Sequence, residues 1–179
     1  MPDEGGSLLG KFIYQKPKMW NVYQLETFHL NKRLRGISEI CFVLREKVHI
    51  KGFWFKRYNR AWQILVAGEC DKIYGDSFER AGEEIHQIGN NVTIRFEQMD
   101  FGEKGTKSLV ICGSTPLEKN TIILKFAKDG VEEQRMVEFM GTKTKQSFEI
   151  EPIYGVNDVS LVFLPGSNFN FTSICFCEA

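Results

Sequence analysis

The feature that most constrains this chain is a succession of short segments rich in β-branched and aromatic residues. From residue 37 onward nine of them follow one another, and turn-forming stretches such as GNN, FGEKG, GSTP and IYGVND separate them. The segments are ISEICFVL, KVHIKGFWF, NVTIRF, SLVICG, NTIILKF, RMVEFM, QSFEIE, DVSLVFL and FTSICF. Many short strands without crossover helices predict an antiparallel, all-β sandwich or barrel.

Helical periodicity is weak along the whole chain. The best candidates are SFERAGEEI and YNRAWQILVA, each long enough for one or two turns, and the second also fits a strand. We therefore expect helix to make up less than about 15% of the residues, well below the usual share. Two further patterns are specific: TIILKF and VSLVF alternate as half-buried strands do, and Asp129-Gly130 predicts a type I′ hairpin turn. The predicted core comprises Phe96, Phe101, Val110, Ile122, Leu124, Phe148, Leu161, Phe163 and Phe176.

Charge and hydropathy exclude two function classes. The 179 residues carry 23 basic and 23 acidic side chains, so the chain lacks the basic surface typical of nucleic-acid binding. No apolar run approaches the length of a membrane span. The acidic start, MPDEGGSLLGK, lacks the order of a signal peptide, and five cysteines without CxxC spacing favour buried free thiols over a zinc or redox site. Both observations predict a cytoplasmic protein.

The first 35 residues differ in character from the rest. Basic residues alternate there with Tyr14, Trp20, Tyr23 and Phe28 without a clear period. We interpret residues 1–35 as an extended aromatic arm that packs on the sandwich or on a neighbouring domain, and residues 36–179 as the β-sandwich.

No constellation in the sequence indicates catalysis. None of the three histidines lies in a catalytic motif, GxSxG is missing, and His49 alternates with apolar residues as a structural histidine does. Carboxylate pairs such as Asp100 and Glu103 lie next to turns, where solvated carboxylates are normal, although glycoside hydrolysis would need a facing pair. The sequence therefore predicts a chain without an active site of its own.

A calcium site is one hypothesis for the oxygen-bearing residues near the two ends of the predicted sandwich. Glu69 and Asp71 share one face of a predicted strand, and Asn168 and Asn170 lie in a turn. If the first and last strands pair, these oxygens converge on the ligand set that Ca²⁺ prefers. Ordinary turn capping by the same side chains is the alternative, and both stay open.

Residues 66–179 resemble a family 6 carbohydrate-binding module, a jelly-roll β-sandwich of the galactose-binding-like type. Four stretches carry the resemblance: Glu69-Cys70-Asp71 for E-A-E, Ile88–Val92 for I-x-x-G-D-W-V, Met99–Gly102 for V-D-F-G, and Gly166–Phe171 for the closing G-x-N turn. The fuller stretch is closer still to C-terminal modules of bacterial glycoside hydrolases, of family 43 (β-xylosidase-like) or family 2 (β-galactosidase-like). The aromatic arm looks like the segment that precedes the module in those enzymes.

The resemblance implies specific site residues. In the family the Asn of the closing turn, here Asn168, contacts sugar at a loop-end cleft, and the acidic first strand joins an Asp around structural Ca²⁺. That Asp is Asn170 in this chain, so the implied calcium ligands are Glu69, Asp71 and Asn170, with one charge lost. The two aromatic side chains that sandwich a sugar are also replaced, by His86 or Gln87 and by Lys145. The implied sugar-binding residues are therefore His86, Gln87, Asn90, Lys145 and Asn168.

These replacements shape the expected function. The resemblance implies a non-catalytic module of a bacterial glycoside hydrolase, with the catalytic domain outside this chain, that binds neutral oligosaccharides weakly or prefers an acidic sugar. The alternative is a structural module that has lost sugar binding and buttresses its catalytic domain.

Overall fold

The structure, a computed structural model, describes residues 8–31, 34, 39–55 and 59–178. It divides into two compact units, Met1–Lys56 and Arg57–Ala179. Residues 36–56, which the sequence assigned to the sandwich, thus belong to the first unit.

The described part of the first unit contains neither helix nor strand. The strands predicted over 39–44 and 47–55 are therefore wrong, while residues 37 and 38 lie outside the described residues. Strand propensity alone does not form a strand when no neighbouring chain completes the hydrogen-bond ladder. Aromatic side chains of this unit contact each other instead: the ring centroids of Phe12 and Phe28 lie 4.8 Å apart, as do those of Phe42 and Phe53. Packing of the arm on the sandwich stays a prediction.

The second unit consists of eleven antiparallel strands and one 3-10 turn, Ala67–Glu69. The strands are β1 (Leu65–Val66), β2 (Lys72–Tyr74), β3 (Glu79–Ala81), β4 (Glu84–Ile88), β5 (Val92–Asp100), β6 (Thr106–Ser114), β7 (Lys119–Lys128), β8 (Val131–Met140), β9 (Lys145–Ile153), β10 (Val156–Phe163) and β11 (Phe169–Glu178). One sheet has the order β3-β4-β11-β6-β9, with β1 also paired to β11, and the other has the order β2-β5-β10-β7-β8.

The predicted fold class is confirmed: the described residues are 48% strand and 2% helix, and the strands form two antiparallel sheets. Of the helical candidates, SFERAGEEI forms the β3–β4 hairpin, because Gly82 (φ +64°) permits a tight turn in the middle of the segment. The described part of YNRAWQILVA contains only β1 and the start of the 3-10 turn. The type I′ turn is confirmed, since Asp129 and Gly130 both have positive φ. Among the described residues, no helix is long and apolar enough to cross a membrane.

The core lies between the two sheets and is built largely from phenylalanine. All predicted core residues are buried except two: Phe148 is only partly buried, and Val110 lies on the outer face of its sheet. Val110 points outward because it alternates with Leu109 and Ile111, which both face the core.

All five cysteines are free thiols, as expected, but only Cys70 is buried. Cys175 and Cys177 lie two residues apart on β11, and Cys112 lies on the adjacent β6. Partial burial raises the pKa of the Cys175 thiol, and the neighbouring thiols Cys177 and Cys112 raise it further. The Cys175 thiol therefore stays protonated at neutral pH.

Candidate functional site

The two ends of the sandwich differ in chemistry, and β5 connects them. At one end Val92 pairs with Phe163, and at the other Asp100 pairs with Val156. Nine residues of strand separate the ends by about 26 Å. We call residues 87–91 and 164–168 the amide end, and residues 59–62, 100–105 and 178 the tryptophan end.

Asn168 is exposed at the amide end, in a turn that is held rigidly. Its backbone lies in the left-handed region (φ +46°), a conformation that Asn tolerates better than most residues. The preceding residue, Ser167, is buried, and its carbonyl accepts hydrogen bonds from the Asn120 side-chain amide and, at 3.2 Å, from the Thr115 hydroxyl. The turn therefore presents the Asn168 amide to solvent from a fixed backbone.

Asn90 and Gln87 form hydrogen bonds to neighbouring segments of the protein. The Gly166 N–H donates to Asn90 Oδ1 at 3.1 Å and to the Gly89 carbonyl at 2.9 Å, which ties the two loops of the amide end together. The Gln87 N–H donates to Asn170 Oδ1 at 2.9 Å, and Gln87 Nε2 donates to Glu79 at 3.2 Å. Both residues lie beside the Asn168 turn, as predicted, but their amides already serve the architecture.

His86 and Lys145 do not converge with this group in the way the resemblance implies. His86 lies on β4, where Nε2 is 2.6 Å from Glu84 Oε2, and Lys145 begins β9 opposite Cys112. Strands β11 and β6 separate β4 from β9, a distance of about 14 Å across the sheet. The structure thus brings together Gln87, Asn90 and Asn168, and leaves Lys145 on a distant edge strand.

The His86–Glu84 contact has an electrostatic consequence. The hydrogen bond with His86 lowers the pKa of the Glu84 carboxyl, burial partly opposes this, and a hydrogen bond from the Thr172 hydroxyl lowers the pKa further. Glu84 is therefore ionised at neutral pH, and His86 is oriented along the sheet surface.

Calcium binding by Glu69, Asp71 and Asn170 stays a prediction, and the structure places the three residues on separate elements. Asp71 precedes β2 rather than lying on a strand with Glu69, and its carboxylate pairs with the Arg60 guanidinium and accepts the Glu97 N–H at 2.8 Å. Both partners of the pair are buried, with side chains 10% and 8% exposed. No three His, Cys, Asp or Glu side chains of the described residues are placed to hold a metal ion. A protein cation, the Arg60 guanidinium, neutralises Asp71 instead.

Asn170 lies on the other sheet and is committed elsewhere. Its Oδ1 accepts the Gln87 N–H, and its Nδ2 lies 3.5 Å from the Ser114 hydroxyl. Asn170 therefore joins β11 to its neighbouring strands β4 and β6 and does not cap a turn.

The tryptophan end carries a feature that the sequence did not single out. Trp62, the one tryptophan of residues 57–179, is 36% exposed and packs edge-on against buried Phe101 at 5.6 Å. An open cavity of about 330 Å³ lies beside it. The available sequence signal was the position of Trp62 just before the first strand together with the acidic MDFGEK turn, but only the fold brings these two segments together.

Sequence comparison places the chain in no described group: no protein-family model and no curated protein matches it.

Solved structures do match the sandwich. A CBM6 module from Clostridium stercorarium in complex with cellobiose has 22% identity and a TM-score of 0.54, over 66% of this chain and 95% of that one. A family 43 arabinoxylan arabinofuranohydrolase from Bacillus subtilis in complex with cellotetraose has 20% identity and a TM-score of 0.50, over 66% of this chain and 28% of that one. A CBM36 module in complex with calcium and xylotriose has 16% identity and a TM-score of 0.50, over 64% and 99%. At these identities the comparison shows the fold, which is that of family 6 carbohydrate-binding modules.

Proposed function

We propose that the sandwich is a non-catalytic carbohydrate-binding module that takes an oligosaccharide at its amide end and acts beside a glycoside hydrolase domain. The fold supports the class of function, and the similarity to part of a family 43 hydrolase chain supports the partner. The single observation that carries the site is Asn168, whose side chain is exposed on a turn that Ser167, Asn120 and Thr115 fix in place.

We expect weak binding at this end because none of residues 87–91 and 164–168 is aromatic. Amides pair with sugar hydroxyls, but the apolar face of a pyranose needs a ring to stack on. Gln87 and Asn90 already form hydrogen bonds with Asn170, Glu79 and Gly166, which leaves fewer donors and acceptors for a ligand. We expect a dissociation constant near 1 mM, or about −4 kcal/mol, for neutral oligosaccharides.

The test is isothermal titration calorimetry of the whole chain with cellobiose, xylotriose and glucuronic acid. Asn168→Gly removes the amide but keeps the left-handed turn, so it separates lost contact from strain better than Asn168→Ala does. The substitution should abolish binding at this end. Wild-type affinity in Asn168→Gly, with the melting temperature preserved, would place the ligand elsewhere.

A second function, structural docking on a catalytic domain, is favoured by one observation. The first unit exposes large aromatic side chains, including Trp20 at 97% and Trp54 at 69%. Exposed apolar surface of this kind is typical of an interface. If no sugar binds the whole chain but it co-elutes with a glycoside hydrolase catalytic domain, and Trp20→Ser with Trp54→Ser prevents co-elution, docking is the function.

A further inference from the structure

We infer that the tryptophan end is a second saccharide site, in which Trp62 stacks on a neutral pyranose and the carboxylates around it bind the hydroxyls. This inference rests on the proposed function and adds a site at the opposite end of the sandwich.

The segment that carries Trp62 is pinned to the end of β5. Asn59 Nδ2 donates to the Asp100 carbonyl at 2.8 Å, and Asn59 Oδ1 accepts the N–H groups of Asp100 at 3.3 Å and Ala61 at 3.0 Å. Ala61 is fully buried and Arg60 pairs with Asp71, so the residues on the N-terminal side of Trp62 are anchored. Trp62 is thus held in place, although it lies outside any strand.

Trp62 itself rests on a rigid base. Its ring meets Phe101 at a 68° interplanar angle, and Phe101 in turn contacts Phe176 at 5.0 Å and Phe126 at 6.4 Å. The two ring planes are far from parallel, and 36% of Trp62 remains exposed to solvent. A ring that is already immobilised loses little conformational entropy when a ligand stacks on it, which favours binding.

The walls of the cavity supply polar groups of one dominant sign. Asp100, Glu103 and Glu178 contribute three carboxylates, against the one ammonium of Lys104. Asp100 Oδ1 accepts the Gly102 N–H at 2.9 Å, so its second oxygen is directed away from that bond. The Lys104–Glu178 pair spans 3.3 Å between two well-exposed side chains, a weak pair that can exchange partners with a ligand.

This chemistry selects the ligand class. Carboxylates accept hydrogen bonds from sugar hydroxyls, and an indole is the preferred surface for the apolar face of a pyranose. The net negative charge repels a uronate, so the site takes neutral sugars. A volume of about 330 Å³ is at the small end of ligand sites and suits one or two sugar rings.

The experiment is a proton–nitrogen NMR titration of the whole chain with cellobiose, xylotriose and, separately, glucuronic acid. The indole N–H signal of Trp62 is identified by its disappearance in Trp62→Phe. We expect this signal to shift saturably with the neutral sugars and not with glucuronic acid or with sorbitol, an open-chain polyol at equal concentration. Trp62→Ala should weaken binding at this end about tenfold, Trp62→Phe less, and Glu103→Gln about threefold.

The controls separate this inference from the proposed function. Tyr74→Ala removes a more exposed aromatic side chain, whose residue pairs with Thr93 roughly 20 Å along β5 from Asp100, and should leave the Trp62 shift unchanged. Asn168→Gly should also leave it unchanged. Shifts confined to the amide end would overturn the second site and uphold the function, whereas no saturable shift anywhere would overturn both. Because Trp62→Ala can perturb the fold, Glu103→Gln, on an exposed turn, provides the decision if the alanine variant melts early.

Discussion

The amide end and the tryptophan end use similar cores to support different surfaces. Beneath the amide end, Phe169 contacts Phe139 at 5.0 Å and Phe163 at 5.3 Å. Beneath the tryptophan end, Phe101 contacts Phe176 at 5.0 Å. Above these cores the amide end has carboxamides bonded from loop to loop, whereas the tryptophan end has a half-exposed ring and carboxylates beside a cavity.

The two ends show that a side chain can form several hydrogen bonds and still have little capacity to bind a ligand. An amide that already joins two loops has fewer donors and acceptors for a sugar, whatever its position in a family pattern. A ring fixed on the core keeps its stacking surface. Variants at either end test this difference between engaged amides and an exposed ring.

Arg60→Met should destabilise the protein most, by about 3–5 kcal/mol, because it leaves the Asp71 carboxylate buried without its cation. Chemical denaturation measures the free energy of unfolding. The exposed pair at the same end is the control: Lys104→Ala should change stability by less than about 0.5 kcal/mol.

Millimolar calcium or EDTA should not move the melting temperature of the wild type. A clear rise of the melting temperature with calcium would show that the Asp71 carboxylate binds a metal ion and not the Arg60 guanidinium.

Substitution of two buried asparagines should destabilise the two ends of the sandwich separately. Asn120 donates to Ser167 and Thr115 under the amide end, and Asn157 donates to the carbonyls of Tyr154 and Gly155, beside the turn of the tryptophan end. Each Asn→Ala change should cost about 1–3 kcal/mol, since it removes two hydrogen bonds donated by a buried side-chain amide. Asn120→Ala should broaden the NMR signals around Asn168 alone, and Asn157→Ala those of residues 100–105. Equal broadening at both ends in either variant would contradict their independence.

The smallest expected effect concerns pH at the edge of the amide end. The folded-state pKa of Glu84 is lowered, so its contribution to stability is present above the unfolded pKa and is lost as pH falls through the folded value. His86→Ala should raise the Glu84 pKa back toward its ordinary value, which a carbon-detected NMR titration measures. An unchanged pKa would mean that Thr172, not His86, is the dominant partner.

Much of the fold was predictable from local patterns. The period-two alternation of TIILKF and the Asp129-Gly130 turn are local signals, and both were confirmed. The predicted strand over 47–55 failed because pairing is not local: its residues have strand propensity, but the described residues offer it no partner.

The candidate site was predictable only where neighbours in sequence are neighbours in space. Asn168 was found because the G-x-N turn is contiguous. The Arg60–Asp71 pair and the contact between Trp62 and Phe101 join segments far apart in sequence, and no single stretch announces them. The family pattern predicts that Lys145 and His86 both lie near Asn168. In the structure two strands, β11 and β6, separate β9, which carries Lys145, from β4, which carries His86.

The most direct measurement is the titration of the isotope-labelled whole chain with cellobiose and xylotriose, followed at every backbone and indole N–H. We predict saturable shifts at the ends of the sandwich, those of the Asn168 turn lost in Asn168→Gly and those of Trp62 unaffected by it, with dissociation constants near 1 mM. Saturable shifts confined to the outer faces of the sheets, or none up to concentrations about tenfold higher, would contradict carbohydrate binding at the ends of this sandwich.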